Sequence, residues 1–437
     1  MAFDFWKKTE KTENTKSPVK ASPLGYWEEM SYMIAFPEVL PRDILVKARE
    51  RLEMIPGAKL TGFHFDPETH EMTFTLSYEG EEYWGGIGIG DFPSAPLILM
   101  MITQEDKARL QNAKNGLTVY MDFRKNLHLD PYQAYHLQIK ILTTLVPDLV
   151  LIYDESAERI ITGRWVRMAA ASKYTPGPKD LFLVQAIGGQ DGRVWMHTHG
   201  LCRFNLAELE ILDADKKYHE EYFNALCTLA GMMLDEGTTE KEGGFFIGML
   251  SDSDTIPVVV TAVPWTDALS EYPNISNGGL DERRDGHNSR TNVVFLYKSS
   301  EDRKNDVRSK FSVYDDLWEK NPLFFISSKE THRLSMIARE RFETAKKAFA
   351  KGCPVLIKIG LLVDDPANDN EREHIWFELK SVEEKGFVAK LTQEPFNVSG
   401  IHKGDERFLT VNDITDWMVM SKELKRQVSP NDAYLLE

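Results

Sequence analysis

The densest set of chemically able side chains lies in residues 193–211, RVWMHTHGLCRFNLAELEI. Residues 194–199 are rich in β-formers and Gly200 follows them, which predicts a strand ending at the glycine. Period two puts Trp195, His197 and His199 on one face and Val194, Met196 and Thr198 on the other. Two imidazoles two residues apart on one face can share a metal ion. If residues 208–211 form a strand, Glu208 and Glu210 share a face as well. Two histidines and two carboxylates suit a hard or borderline divalent cation, which would activate a water for hydrolysis while a carboxylate takes the proton.

Two plainer readings compete with that one. A His-x-His pair beside an aromatic also serves in ordinary strands, where a ring nitrogen donates to a backbone carbonyl and the pair fixes a turn. Glu208 and Glu210 then form the solvent face of an edge strand whose apolar face is Leu209 and Ile211. Alternatively, Trp195, His197, His199, Glu208 and Glu210 form a patch that contacts a partner or ligand. The residues favour a structural histidine pair, with no cofactor, over a metal site.

Positioning such a site takes a sizeable scaffold. At 437 residues the chain is too long for one ordinary core. Hydrophobic content of 42% is enough to fill more than one. The net charge of −16 repels phosphate backbones and anionic bilayers, so neither nucleic acid nor membrane is an expected partner. The charge suits a basic protein surface. The three cysteines, Cys202, Cys227 and Cys353, fit neither a zinc site nor a disulfide framework and predict reduced thiols in a cytoplasmic protein. No apolar run follows Lys7 and Lys8, so no signal peptide is expected. The longest apolar run, residues 95–102, is too short to span a bilayer.

The elements read as follows. Residues 1–25 form a flexible leader, with a short anchoring turn at Phe3, Phe5 and Trp6. Strands are expected near 32–36, 60–65, 72–78, 117–123 and 149–153, and helices over 43–55 and from Pro131, with Asp130 as its N-cap. The order strand, helix, strand-ending-in-acid occurs twice, which suggests a duplicated βαβ-type unit with a subdivision near 116. The glycine run 85–90 lacks the Lys-Ser/Thr and the helix start of a phosphate loop, so a kinked or bulged strand is the better reading. Residues 188–192 make a hairpin turn, which places 193–199 as its second strand. A helix over 218–234 and strands near 245–250 and 257–263 follow. Residues 274–292, with Asp281, Glu282, Arg283, Arg284, Asp285 and His287, form the longest polar loop, either a lid or a mobile insertion. Ser327 and Glu330 read as a capping box for one helix to about Lys351, ahead of strands near 355–363, 375–382, 387–391 and 408–411. A loose tail is expected over 422–437. Together these predict an α+β protein. Its larger module, residues 26–321, has mixed, mainly antiparallel sheets with flanking helices, and its smaller one, 322–421, joins a helix to a bent sheet.

The last quarter of the chain carries a specific pattern. His374-Ile375-Trp376 opens a strand, Gly404-Asp405 precedes another, and Ile414-Thr415-Asp416-Trp417-Met418 closes the module. In that order they resemble the YegJ-like bacterial family, domain of unknown function 2314. Thr392-Gln393-Glu394-Pro395 departs from that family's small-residue-Asn-x-Pro turn. The larger module, through Trp195-x-His197-Thr198-His199-Gly200-Leu201 and Glu208-Leu209-Glu210, resembles the uncharacterised bacterial family of domain of unknown function 4026. The two families occur together in proteins of this size, and neither resemblance implies a known activity. Similar Trp-x-His-Thr-His-Gly-Leu stretches appear in bacterial proteins thought to act as partner-binding or toxin-immunity modules. Read from their residue types alone, Trp376 and Trp417 are core anchors, Gly404-Asp405 a tight turn, and Asp416 a cap on a backbone amide.

No nucleotide loop, dinucleotide fingerprint, kinase set or Ser-His-Asp order is visible. The leading expectation is a non-catalytic protein that binds a protein partner. The alternative is a metal-dependent hydrolase built on His197, His199, Glu208 and Glu210, and a weaker third is a small-molecule sensor lidded by residues 274–292.

Overall fold

The computed structural model describes residues 30–68, 71–91, 103–111, 113–123, 130–189, 191–251, 255–283, 290–319, 322–366 and 371–437. The expected leader, the apolar run 95–102 and the loop residues Arg284, Asp285 and His287 lie outside them. The chain forms two compact units, one of residues 1–166 and 178–325, the other of 167–177 and 326–437. The described residues build three sheets flanked by helices, an α+β fold.

The first sheet of the larger unit contains β1 (Ser31–Phe36), β2 (Ala58–Phe65), β3 (Met72–Tyr78), β4 (Glu81–Asp91), β5 (Asn115–Met121), β6 (Leu151–Asp154) and β7 (Arg159–Thr162). Their order is β2-β3-β4-β5-β1-β6-β7, with every pair antiparallel. β1 lies between β5 and β6, so the two expected repeats are parts of one sheet and no boundary falls at 116. The helix Pro131–Leu145 starts where the sequence placed it, with the Asp130 carboxylate accepting from the Tyr132 N–H. Its buried Gln138 fixes it to the sheet by donating to the carbonyls of Ser31 and Val119. Helix 43–55 is shorter than expected, Ala48–Leu52, although Ile44, Ala48, Leu52 and Ile55 are all buried.

β4 pairs with β3 and β5 without a register shift, so the glycine run holds no bulge. Its glycines serve close approach. A Cβ on Gly86 would lie 2.1 Å from the Tyr120 ring, and one on Gly85 would lie 2.5 Å from the Tyr120 carbonyl.

The second sheet contains β8 (Leu183–Gly188), β9 (Arg193–His199), β10 (Glu208–Asp215), β11 (Phe245–Ser251), β12 (Thr255–Pro264), β13 (Thr291–Tyr297), β14 (Ser309–Lys310) and β15 (Leu323–Phe324). Its order is β15-β11-β12-β13-β10-β9-β8, with β14 on β13. Among the described residues, only β10 and β13 pair in parallel. β10 is interior, between β9 and β13, which overturns the edge-strand expectation for Glu208 and Glu210. The helix His219–Glu236 turns Tyr222, Leu226, Leu229 and Met233 inward as its periodicity predicts, and Gly237 at φ +68 ends it.

The smaller unit has a third, all-antiparallel sheet of β16 (Val355–Leu362), β17 (Arg372–Val382), β18 (Phe387–Leu391), β19 (Glu406–Leu409), β20 (Ile414–Ser421) and β21 (Arg426–Val428). The order is β19-β18-β17-β16-β20-β21. Ser327 caps the helix Ser328–Glu340 by accepting from the Glu330 N–H, while the Glu330 carboxylate accepts from Arg333, so the structure gives the Ser327 half of the expected box; the helical run breaks at Arg341 before Phe342–Ala350. The anticipated loose tail is ordered: β21 pairs with β20, and Val428 and Ala433 belong to the core with Trp417 and Phe342. Residues 167–177 also join this unit. Ser172 Oγ donates to Glu340 Oε2 at 2.6 Å, and Arg333 donates to the Thr175 carbonyl.

Candidate functional site

β9 presents Trp195, His197 and His199 on one face, as the alternation predicts. The Trp195 and His197 rings stack with centroids 4.1 Å apart, and His199 meets His197 edge-on at 4.8 Å. β8 supplies a residue that the sequence did not single out. The Nε2 atoms of His197 and His199 each lie 3.0 Å from Gln185 Oε1, so both imidazoles point at one oxygen. His197 is fully buried and His199 nearly so.

The two glutamates, expected to share one destination, go to different ones. Glu208 accepts from Thr198 Oγ1 at 2.7 Å, the Gly200 N–H at 2.7 Å and the Cys202 N–H at 3.1 Å. It closes the turn after β9, where Gly200 takes φ +112. Burial pushes its carboxyl above the usual range, against those three hydrogen bonds. The adjoining Cys202 thiol is raised well above an ordinary thiol by burial first and then by Glu208, so it is held as the unreactive thiol.

Glu210 accepts from Trp195 Nε1 at 2.8 Å, Thr291 Oγ1 at 2.8 Å, and Arg283 Nη2 at 2.7 and 2.8 Å. Burial raises this carboxyl too, with Arg283 pulling the other way. Arg283 comes from the long polar loop. It is buried, donates also to the Gly278 carbonyl and Thr291, and lies over the rings of Trp265 and Trp195 at 4.7 and 5.7 Å. The loop is therefore tied to the centre of the sheet at residue 283, which is not how a free lid behaves.

A second buried arginine belongs to residues 193–211 themselves. Arg203 follows the turn and reaches the first sheet, where Nη1 and Nη2 donate to the Asp154 carboxylate at 2.8 and 3.0 Å. It also donates to Ser31 Oγ and the Leu181 carbonyl, and it lies 5.1 Å from the centre of the Tyr135 ring. Neither Arg203 nor Arg283 was visible as a site residue. An arginine reads as surface until a partner distant in sequence is placed beside it.

All oxygens of Glu208 and Glu210 thus have protein donors. Among the described residues, no group of three or more His, Cys, Asp and Glu side chains gathers as a cation would require. What this arrangement does is brace the fold: one network ties the turn to β10, and another ties the loop to it.

The smaller unit separates its signature residues. Trp417 is fully buried, with Nε1 donating to the Ala338 carbonyl at 2.9 Å, and Asp416 Oδ1 accepts from the Trp417 N–H at 2.8 Å. Trp376 is no core anchor. Its neighbours Ile375 and Phe377 take the core face, and Trp376 lies half-buried on the opposite face under the Lys358 ammonium, 5.4 Å from its ring centre. His374 shares that face. Thr415 Oγ1 donates to the Lys358 carbonyl, so it accepts from His374 Nδ1 at 3.1 Å, which leaves Nε2 as the bare nitrogen. Gly404 at φ +98 and Asp405, which accepts from the His402 N–H, form the expected tight turn.

Compared with known families, residues 31–176 match the N-terminal part of a protein of unknown function, DUF4026. Residues 184–295 match the C-terminal part of the same family. Residues 331–426 match DUF2314, an uncharacterised protein conserved in bacteria. The break between the first two falls between the first and second sheets. No curated protein and no solved structure matches the chain. Among the described residues, no helix is long and apolar enough to cross a membrane.

Proposed function

We propose, for a chain that belongs to the DUF4026 family and carries a DUF2314 module, a non-catalytic role in binding a protein partner. One observation carries this reading: the side chains of residues 193–211 with the most chemical capacity are occupied in holding the fold. Glu208 accepts three hydrogen bonds and Glu210 accepts from Trp195, Arg283 and Thr291. A general base needs a lone pair within reach of a substrate, and these carboxylates face protein donors instead. The net charge of −16 favours a basic partner surface, and an immunity-type role, in which the protein covers and blocks its partner, fits this chemistry. Tagged protein should be recovered from the organism that encodes it at low and high salt. A stoichiometric protein released as salt rises supports the reading, and nothing above background at either salt sinks it.

A second reading, the metal-dependent hydrolase, draws support from the convergence of His197 and His199 Nε2 on Gln185 Oε1. A divalent cation there would need Gln185 to swing aside and Glu208 or Glu210 to release donors. Metal content of the purified protein, beside the His197→Ala, His199→Ala double variant, separates the two readings.

A further inference from the structure

We propose that Phe396 anchors a protein-docking surface on the smaller unit, and that it enters an apolar pocket with a basic rim on another protein. This rests on the partner-binding reading and names the surface and the chemistry it recognises.

Among the described residues, Phe396 is the most exposed large hydrophobic side chain, at 87%. A lone exposed apolar residue is ordinary on a surface. The backbone beneath this one is not. Glu373 accepts from the Phe396 N–H at 2.8 Å through one oxygen and from the Asn397 N–H at 2.7 Å through the other. Asp364 accepts from the Ser399 N–H at 2.7 Å, while its own N–H donates to the Asn397 carbonyl. Farther along, Glu394 accepts from the Lys403 N–H and Asp405 from the His402 N–H. Four carboxylates therefore fix the loop that carries the ring. The same loop buries Ile401 in the core, to 1% exposure, and packs Val398 against it. It has a route inward for apolar side chains, and Phe396 does not take it.

An exposed aromatic carried on a held backbone has the properties of an interface anchor. Little backbone ordering entropy is lost on binding, and a large apolar area enters a pocket. Charge selects the pocket. Asp364, Asp365, Glu373, Glu394, Asp405 and Glu406 outnumber Arg372, Lys390, Lys403 and Arg407 on the loop and beside it. An acidic surround favours lysines and arginines on the opposing rim and disfavours nucleic acid and anionic lipid.

The test places the photo-crosslinking residue p-benzoylphenylalanine at position 396 of the full chain, in the encoding organism, with position 46 as control. Val46 is 82% exposed and lies in the larger unit. The expected result is one discrete protein adduct from 396 and none from 46. The partner so identified, once purified, should bind Phe396→Ala about 30-fold more weakly than wild type. Phe396→Trp should retain most of the affinity, and the unfolding midpoint of each variant should match wild type. If a purified partner binds Phe396→Ala as tightly as wild type, the docking surface is wrong and the partner-binding reading stands. If 396 yields only lipid or nucleic-acid adducts, the surface is wrong as well. If neither crosslinking nor salt-dependent recovery yields a protein, both fall.

Discussion

Arg203 and Asp154 form a fully buried bidentate ion pair between the turn after β9 and the end of β6, at 2.8 and 3.0 Å. The pair joins the two sheets of the larger unit at one point. Removing one partner strands a charge away from water, so Arg203→Met or Asp154→Asn should each destabilise that unit by about 3–5 kcal/mol. The double variant should lose less than the sum of the singles. Urea unfolding followed by a probe in the first sheet measures this; additive losses would show that the pair is not coupled.

The Glu210–Arg283 contact gives a different kind of outcome. Arg283→Ala leaves Glu210 with Trp195 and Thr291 as donors and releases the segment near residue 283. Hydrogen exchange of amides in 274–283 should accelerate at least tenfold, and a combined Arg283→Ala, Glu210→Gln variant should recover part of the lost stability. Unchanged exchange in that segment would mean that Arg283 does not hold it.

The histidine pair is checked by metal content. If His197 and His199 are structural, the purified protein should carry less than a tenth of an equivalent of zinc, manganese or iron after incubation. Near-stoichiometric metal that disappears in a folded His197→Ala, His199→Ala variant would promote the hydrolase.

Two histidines of the smaller unit should titrate in opposite directions from 6.5. Glu394 raises His402, and burial followed by Lys358 and Arg372 lowers His374. The His402 contribution to stability is complete below 6.5 and is lost as pH rises through its raised folded value. His374 acts the other way. Its contribution is present above 6.5 and fades as pH falls toward its lowered folded value, because the unfolded state takes the proton first. Nuclear magnetic resonance of the imidazole carbons reads both midpoints, and a shared midpoint would contradict the geometry.

The glycines of β4 make a steric prediction. Gly85→Ala meets the Tyr120 backbone carbonyl and should destabilise by about 1–3 kcal/mol, whereas a Cβ at Gly88 meets nothing within 4 Å and its alanine variant should change little. Thermal unfolding of the pair decides it.

Much of the local structure could be read from residue order, because its causes are local. The Asp130 cap, the inward face of the helix His219–Glu236 and the β8–β9 hairpin each depend on residues a few positions apart. The shared face of Trp195, His197 and His199 follows from alternation alone. What could not be read depends on neighbours distant in the chain. Whether β10 is edge or interior is decided by β13, some eighty residues later, as the 81-residue separation of Thr291 and Glu210 shows. The roles of Gln185, Arg203 and Arg283 come from partners that no periodicity brings together. Aromatic size makes Trp376 read as a core anchor, while the pleat, set by Ile375 and Phe377, turns it to the opposite face.

The membership of residues 167–177 in the smaller unit bears on how the chain is made. Ser172 and Glu340 are separated by 168 positions, so the first piece of that unit leaves the ribosome long before the pieces that receive it. Until synthesis passes Glu340, the Ser172 hydroxyl lacks the carboxylate that accepts from it. Closing so long a span is entropically unfavourable and slow. A gene fragment begun at residue 322 would lack this strip, leaving Glu340 without Ser172 and Arg333 without the Thr175 carbonyl.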